Sequence, residues 1–134
     1  MNELIKKSET KQFKVIFPNT LNDHDTLFGG TAMQWMDEVA YITALRFFKK
    51  KAVTVSVDNI QFLSPLKSGT IAEITGKIVN VSYAKIEIKV EIFVEEIYET
   101  NRYKAIDALF VFACIDDNHK PVRIKYPNAI NYGD

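Results

Sequence analysis

Between Lys85 and Ile97 the chain reads KIEIKVEIFVEEI. Ile86, Ile88, Val90, Ile92 and Val94 fall on one side, and Lys85, Glu87, Lys89, Glu91 and Glu95 on the other. That two-residue period predicts a β-strand buried on one face. Only Phe93 interrupts the polar side. AVTVSVDNIQF (52–62) repeats the period, with Val53, Val55 and Val57 alternating against polar or small residues. TIAEITGKIVNV (70–81) predicts another strand, with Gly76 as a candidate bulge or bend. YKAIDALFVFACID (103–116) is nearly continuously apolar from Ala108 to Ile115, which predicts a strand covered on both faces. TKQFKVIF (10–17) predicts a short first strand ending at Pro18, and NHKPVRI (118–124) a turn and a short last strand.

One stretch changes period. From Thr31 to about Phe48, the residues Ala32, Trp35, Met36, Val39, Ala40, Thr43 and Phe47 recur at helical spacing. Met33, Ile42 and Leu45 spread apolarity around the remaining sides, and a helix apolar nearly all round is a buried helix. One strand, one long helix and then a run of antiparallel strands predict an α+β fold, a single sheet curled around that helix. The doubly apolar strand predicts that a second copy of the chain covers part of the sheet.

Composition narrows the function. At 134 residues, with 47% hydrophobic and 25% charged, the chain is expected to be one domain, 1–134, with its core over about 12–125. Lys plus Arg is 17 and Asp plus Glu is 17, so the balance is neutral. Nucleic-acid affinity comes mainly from phosphate neutralisation, so that partner is not expected. The basic run FFKKK (47–51) is read as a solvated helix end, where cations complement the dipole. Cys114 lies in an apolar run and is read as a small buried hydrophobe. His24 and His119 are too far apart to suggest a metal site. No apolar run approaches the ~18–20 residues of a membrane span. MNELIKKSETKQF lacks the apolar centre of a secretory signal, so a soluble cytoplasmic protein is expected.

The chemistry concentrates in NDHDTLFGGTAMQWMDEV (22–39). Asp37 and Glu38 sit well inside an apolar helical run, although carboxylates are rarely buried unpaired. Glu38 reads as an exposed or ion-paired residue. Asp37 is too deep in the helix to cap it and has poor helix propensity, so an ion-pair role and a functional one both stand. Gly29 and Gly30 supply a tight entry to the helix, or admit a ligand to its unpaired N–H groups, the hardware of an oxyanion hole. Such a hole two turns from a carboxylate suggests hydrolysis or acyl transfer. No G-x-S-x-G elbow is present.

With TVSVDNIQFLSPLKSGT (54–70), this stretch resembles the acyl-CoA hydrolase branch of the hotdog-fold thioesterases. The shared pattern is an Asn, an aromatic residue, Gly-Gly and an Asp seven residues past the second Gly. A second segment follows with Val-Asp, then Phe62, Pro65 and Gly69. The resemblance covers about 12–125. It implies a hotdog dimer, often a trimer of dimers, that hydrolyses acyl-CoA to free CoA and a carboxylic acid without a metal or redox cofactor. Asp37 would be the catalytic carboxylate, as general base or as nucleophile. Asn22, from the other subunit, would position the water or the thioester carbonyl, and the Gly30 N–H would stabilise the oxyanion. Phe28, Gly29, Val55, Ser56, Val57, Ser82 and Lys85 would contact substrate.

Two positions depart from the family pattern. Asp25 stands where many relatives have Gly, and SYAK (82–85) replaces a Gly-Arg-Ser/Thr-Ser segment near the CoA phosphates. Lys85 is then either the displaced cation or a solvated partner of Glu87 and Glu91. His24 reads as a loop residue. Trp35, Met36, Phe28 and Tyr41 either line an acyl tunnel or belong to the core. The fold also hosts dehydratases and acyl-CoA binders that cleave nothing, so a non-catalytic acyl-CoA binder or a dehydratase is the rival reading.

Overall fold

The computed structural model describes residues 2–124. A short helix, α1 (Asn2–Ser8), precedes β1 (Thr10–Val15). After one 3-10 turn the long helix α2 spans Gly29–Phe48. Four long strands follow: β2 (Ala52–Phe62), β3 (Thr70–Val81), β4 (Lys85–Glu96) and β5 (Arg102–Cys114). All pairings are antiparallel, in the order β1-β3-β4-β5-β2. This is the α+β hotdog arrangement that the sequence implies.

The core sits where one sheet face meets α2. Ile86, Ile88, Val90, Ile92 and Val94 of β4 are all fully buried, as are Phe110 and Phe112 of β5. Burying each such side chain contributes about 1.5–3 kcal/mol. α2 answers with Ala32, Met36, Val39, Ala40, Ala44 and Phe47. Gly76 is no bulge: it lies in the regular part of β3, and the register slips instead between Ile78 and Asn80. A Cβ at Gly76 would lie 2.6 Å from Thr43 Oγ1 and 3.0 Å from Val39 Cγ1, so the missing side chain lets α2 lie directly on the strand.

The outer face of the sheet is charged and paired. Asp107 of β5 is 8% exposed and lies between Lys89 Nζ at 2.5 Å and Lys104 Nζ at 3.1 Å. Burial alone would raise the Asp107 pKa, but the hydrogen bonds from the two lysines outweigh it and hold the pKa below its ordinary value. Arg102 pairs with the buried Glu73, and its guanidinium covers Phe93. Cys114 is buried, as its apolar setting implies, and burial raises its thiol pKa.

Four expectations need correction. The strands are not a simple meander: β2 crosses to the far edge and pairs with β5, so only β3, β4 and β5 are consecutive neighbours. α2 begins at Gly29 rather than Thr31. It is not buried all round, because Gln34, Asp37, Glu38 and Tyr41 form an exposed face. The last strand is a single bridge between Ile115 and Pro121. α1 went unforeseen; Arg46 of α2 holds it by donating to the carbonyls of Lys7 and Glu9. The helix end fits the FFKKK reading: Lys49 caps α2 in the left-handed conformation and its N–H donates to Leu45 O at 2.9 Å.

Candidate active site

Asn22 opens the loop before α2 and spends its side chain on that loop. Its Oδ1 accepts from the backbone N–H groups of His24 (2.8 Å) and Thr26 (3.1 Å), and its Nδ2 donates to Thr26 Oγ1 (3.0 Å). Asp25 follows at φ 61°, a left-handed position that Asp tolerates better than most residues and Gly best of all. The conformation at the family's glycine is therefore retained with Asp in its place. His24 is exposed on this loop beside Asp23.

The loop delivers an open helix end. Phe28, the N-cap residue, is half exposed and offers no side-chain acceptor. The first intrahelical bond runs from Ala32 N–H to Phe28 O at 3.0 Å. The N–H groups of Gly29 and Gly30 therefore have no helical acceptor and sit at the positive end of the dipole. Gly30 is exposed, and a Cβ there would meet nothing within 4 Å.

Asp37 lies seven residues further on, about 10 Å along the axis at 1.5 Å per residue. Its carboxylate faces out from α2 toward β2, where Thr54 Oγ1 donates to Oδ1 at 3.1 Å. Glu38, next to it, accepts a long bond from Gln12 Nε2 at 3.5 Å and is exposed, as its structural reading implies. Gln12 Oε1 is buried without a partner.

Thr54 is the residue that the sequence period concealed. The alternation puts Val53, Val55 and Val57 on one side and Thr54 on the other. A register slip between Thr54 and Ser56 breaks this, so that Thr54 and Val57 share a face. Thr54 pairs with the inward Phe112, whereas Val53 pairs with Ala113 on the opposite face. Val55 occupies the slip and is exposed, Ser56 donates to Asp58 Oδ2 at 3.4 Å, and Val57 is half-buried beside Phe110. The only signal available was a hydroxyl within an otherwise valine-rich run.

The structure does not bring all candidates together. Ser82 closes the β3–β4 turn, its N–H donating to Lys85 O at 2.8 Å, and Lys85 is paired in register with Ala113. Both belong to the hairpin, not to the loop and helix that carry Asn22, Gly30 and Asp37. Trp35 is half-buried under Lys14 and Met36 is core, while Tyr41 is exposed near Phe112. Among the described residues no group of three His, Cys, Asp or Glu is placed to hold a metal. No helix among them is long and apolar enough to cross a membrane.

The thioesterase superfamily model matches residues 24–100, from the loop through β4. The chain belongs to this superfamily. It is 30% identical over 119 residues to an uncharacterized acyl-CoA thioester hydrolase of Bacillus subtilis, covering 89% of this chain and 69% of that one. It is also 30% identical over 122 residues to the cytosolic acyl coenzyme A thioester hydrolase of Rattus norvegicus, of whose length it spans 32%. Among solved structures, the acyl-CoA hydrolase of Staphylococcus aureus matches with a TM-score of 0.85 at 30% identity, covering 94% of this chain and 78% of that one. That protein was solved with butyryl coenzyme A, coenzyme A and coenzyme A disulfide. It was also solved as alanine variants of an asparagine, of an aspartate fifteen residues later and of a threonine seventeen residues after the aspartate. A hexameric thioesterase of Yersinia pestis matches with a TM-score of 0.79 at 28% identity, covering 86% of this chain and 93% of that one.

Proposed function

We propose that this protein hydrolyses acyl-CoA to free CoA and a carboxylic acid, with Asp37 as general base, Thr54 as its positioning hydroxyl, Asn22 opposite and the Gly30 N–H as oxyanion donor. The observation that carries the assignment is the hydrogen bond from Thr54 to Asp37. Asn22, Asp37 and Thr54 also repeat, in type and at the same two spacings, the three residues altered in the S. aureus hydrolase. The Thr54 bond fixes Oδ1 and leaves Oδ2 to accept a proton from water as that water attacks the thioester carbonyl. Negative charge then develops on the carbonyl oxygen at the Gly30 N–H, and the CoA thiolate leaves. The reaction so written uses no metal or redox cofactor.

One chain does not complete this site. Base and oxyanion donor must both lie within about 3 Å of atoms in one carbonyl–water pair. Gly30 and Asp37, about 10 Å apart along one helix, cannot do this together. Two copies are therefore needed, each supplying Asn22 and Gly30 to one centre and Asp37 and Thr54 to the other. β2 is the edge that fits such pairing. It is eleven residues long, has one unpaired side and exposes Val53, Val55, Ile60 and Phe62. The Y. pestis hexamer supports a trimer of such dimers. The cytosolic relative supports a cytoplasmic location.

Thiol release from acetyl- to palmitoyl-CoA tests the reading. Asp37→Ala is expected to fold with unchanged Tm and lose about 10²–10⁴-fold in kcat. Wild-type turnover in that variant would sink the assignment. A wild-type protein that cleaves no acyl-CoA, yet gains Tm from several, would be the non-catalytic binder. Single turnover in ¹⁸O-labelled water is expected to label the free acid and leave Asp37 unlabelled; label in Asp37 would mean covalent attack.

A further inference from the structure

Asp37 has a neighbour on its own face of α2 that the reaction above leaves idle. Tyr41 follows it by four residues, so the two side chains stand one turn apart, about 5–6 Å at their Cβ atoms. Both turn toward the side of the sheet where β2 meets β5. Asp37 takes its bond from Thr54, and the Tyr41 ring lies 6.3 Å from that of Phe112, the strand partner of Thr54. Phe112 is fully buried, so it gives the tyrosine ring a fixed neighbour. Tyr41 itself is exposed, and its hydroxyl has no hydrogen-bond partner among the described residues. A donor is thus held beside the carboxylate with nothing of its own chain to bond.

We propose that Tyr41 binds the pantetheine arm of CoA: its hydroxyl donates to the carbonyl of the amide nearest the thioester sulfur and so holds the thioester over Asp37. The proposal rests on the hydrolase reading above. Two methylenes separate that sulfur from the amide nitrogen, a span close to the single helical turn between Asp37 and Tyr41. Which arm of the substrate crosses Tyr41 follows from desolvation. A hydrocarbon lying on the tyrosine would strip water from its hydroxyl and offer no partner in exchange, whereas an amide replaces the bond that the water made. Fixing the arm at this amide also removes the swing of the thioester before water attacks, so the hydrogen bond orients as well as binds. The ring, set beside Phe112, stays in place while the arm arrives.

Tyr41→Phe removes the hydroxyl and keeps the ring, so its folding is not at risk. The test is kcat/KM for three butyryl thioesters in wild type and variant. They are the thioester of CoA, that of N-acetylcysteamine, which keeps the amide and ends there, and that of ethanethiol, which has no amide. Tyr41→Phe is expected to lower the first two about three- to tenfold, as one neutral hydrogen bond does, and to leave the third within about twofold of wild type. Light scattering is expected to show the wild-type assembly in the variant. A second readout needs no turnover: by calorimetry the variant is expected to bind free CoA about three- to tenfold more weakly than wild type does. Equal losses on all three thioesters, or a changed assembly, would make Tyr41 a contact between copies and overturn the proposal. No loss on any of them would overturn it too, and either result leaves the hydrolase reading standing. A wild-type protein that cleaves no acyl-CoA would remove the hydrolase reading instead, and the calorimetric ratio would then decide Tyr41 alone.

Discussion

β4 and β2 carry nearly the same pattern in the sequence and have opposite fates. Both alternate branched apolar residues with polar ones. In β4 the whole apolar set is fully buried against α2, and on the polar side Lys89 and Glu91 form ion pairs with Asp107 and Lys104 of β5. In β2, Val53 and Val55 are exposed at 40% and 45%, and the register slips twice. The difference is position. β4 has a strand on each side; the slips in its two pairings place the extra residues, Val79 and Ala105, in β3 and β5, so its own alternation stays intact. β2 pairs on one side only, so bulges cost it little, and one of them turns Thr54 toward Asp37. The central strand supplies core, and the edge strand carries Thr54, the hydrogen-bond partner of Asp37, and leaves apolar residues exposed along an unpaired side.

That division is testable, and the largest effect belongs to the edge side. Asp37→Ala is expected to cost about 10²–10⁴-fold in kcat with an unchanged Tm, since the side chain is exposed and its bond from Thr54 is 3.1 Å long. Thr54→Ala frees the carboxylate and is expected to follow it with a smaller loss. Ile88→Ala in β4 is the converse. It removes a fully buried side chain and is expected to cost about 2–5 kcal/mol in urea unfolding, with kcat per folded molecule unchanged. A variant pair with the two effects exchanged would end the division of labour.

Gly76→Ala comes next. It adds one methyl where Thr43 Oγ1 would be 2.6 Å away, in a strand of ordinary conformation, so overpacking of about 1–3 kcal/mol is expected. Thr43→Ala in the same chain is expected to restore part of that loss, because it removes the clashing oxygen. No rescue would mean that Val39, not Thr43, sets the contact. At the other edge, Ile60→Lys changes a side chain that is 40% exposed in the single chain, so the fold of each subunit is expected to be kept. By light scattering the same variant is expected to shift the protein toward monomer and lose activity with it. An oligomer that survives the charge would place the interface elsewhere.

Strand existence and the long helix could be read from the sequence, because burial on one face leaves a period in the residues; Asp37 stood out only as a carboxylate in an apolar run and through the family resemblance. Three things left no such trace. The place of β2 beside β5 follows from a crossover, and antiparallel strands look alike whichever neighbour they choose. The role of Thr54 depends on an extra residue at Val55, which shifts the face without altering composition. The exposure of Asp37 and Glu38 follows from how far the sheet reaches around α2. The carboxylates that are buried, Glu73 and Asp107, drew no notice because their partners lie on other strands or beyond the local pattern.

Asp107 gives the smallest effect and the one with a sign to check. Its folded pKa lies below the ordinary value, since the bonds from Lys89 and Lys104 outweigh the burial that would raise it. The folded state therefore holds the proton less tightly than the unfolded one. The resulting stability is present above the unfolded carboxylate pKa of about 3.9 and is lost as pH falls through the folded pKa. Lys104 has the opposite sense: hydrogen bonds to Glu91 and Asp107 raise its pKa, so its contribution fades only in strong alkali. Both lysines reach solvent, so Asp107→Asn leaves no trapped charge and is expected to cost about 0–1 kcal/mol at neutral pH. The difference in Tm between wild type and Asp107→Asn is expected to be flat from about pH 5 to 8 and to close below pH 4. If the gap stays constant down to pH 3, the Asp107 charge contributes nothing, and the charged outer face of the sheet owes its order to packing alone.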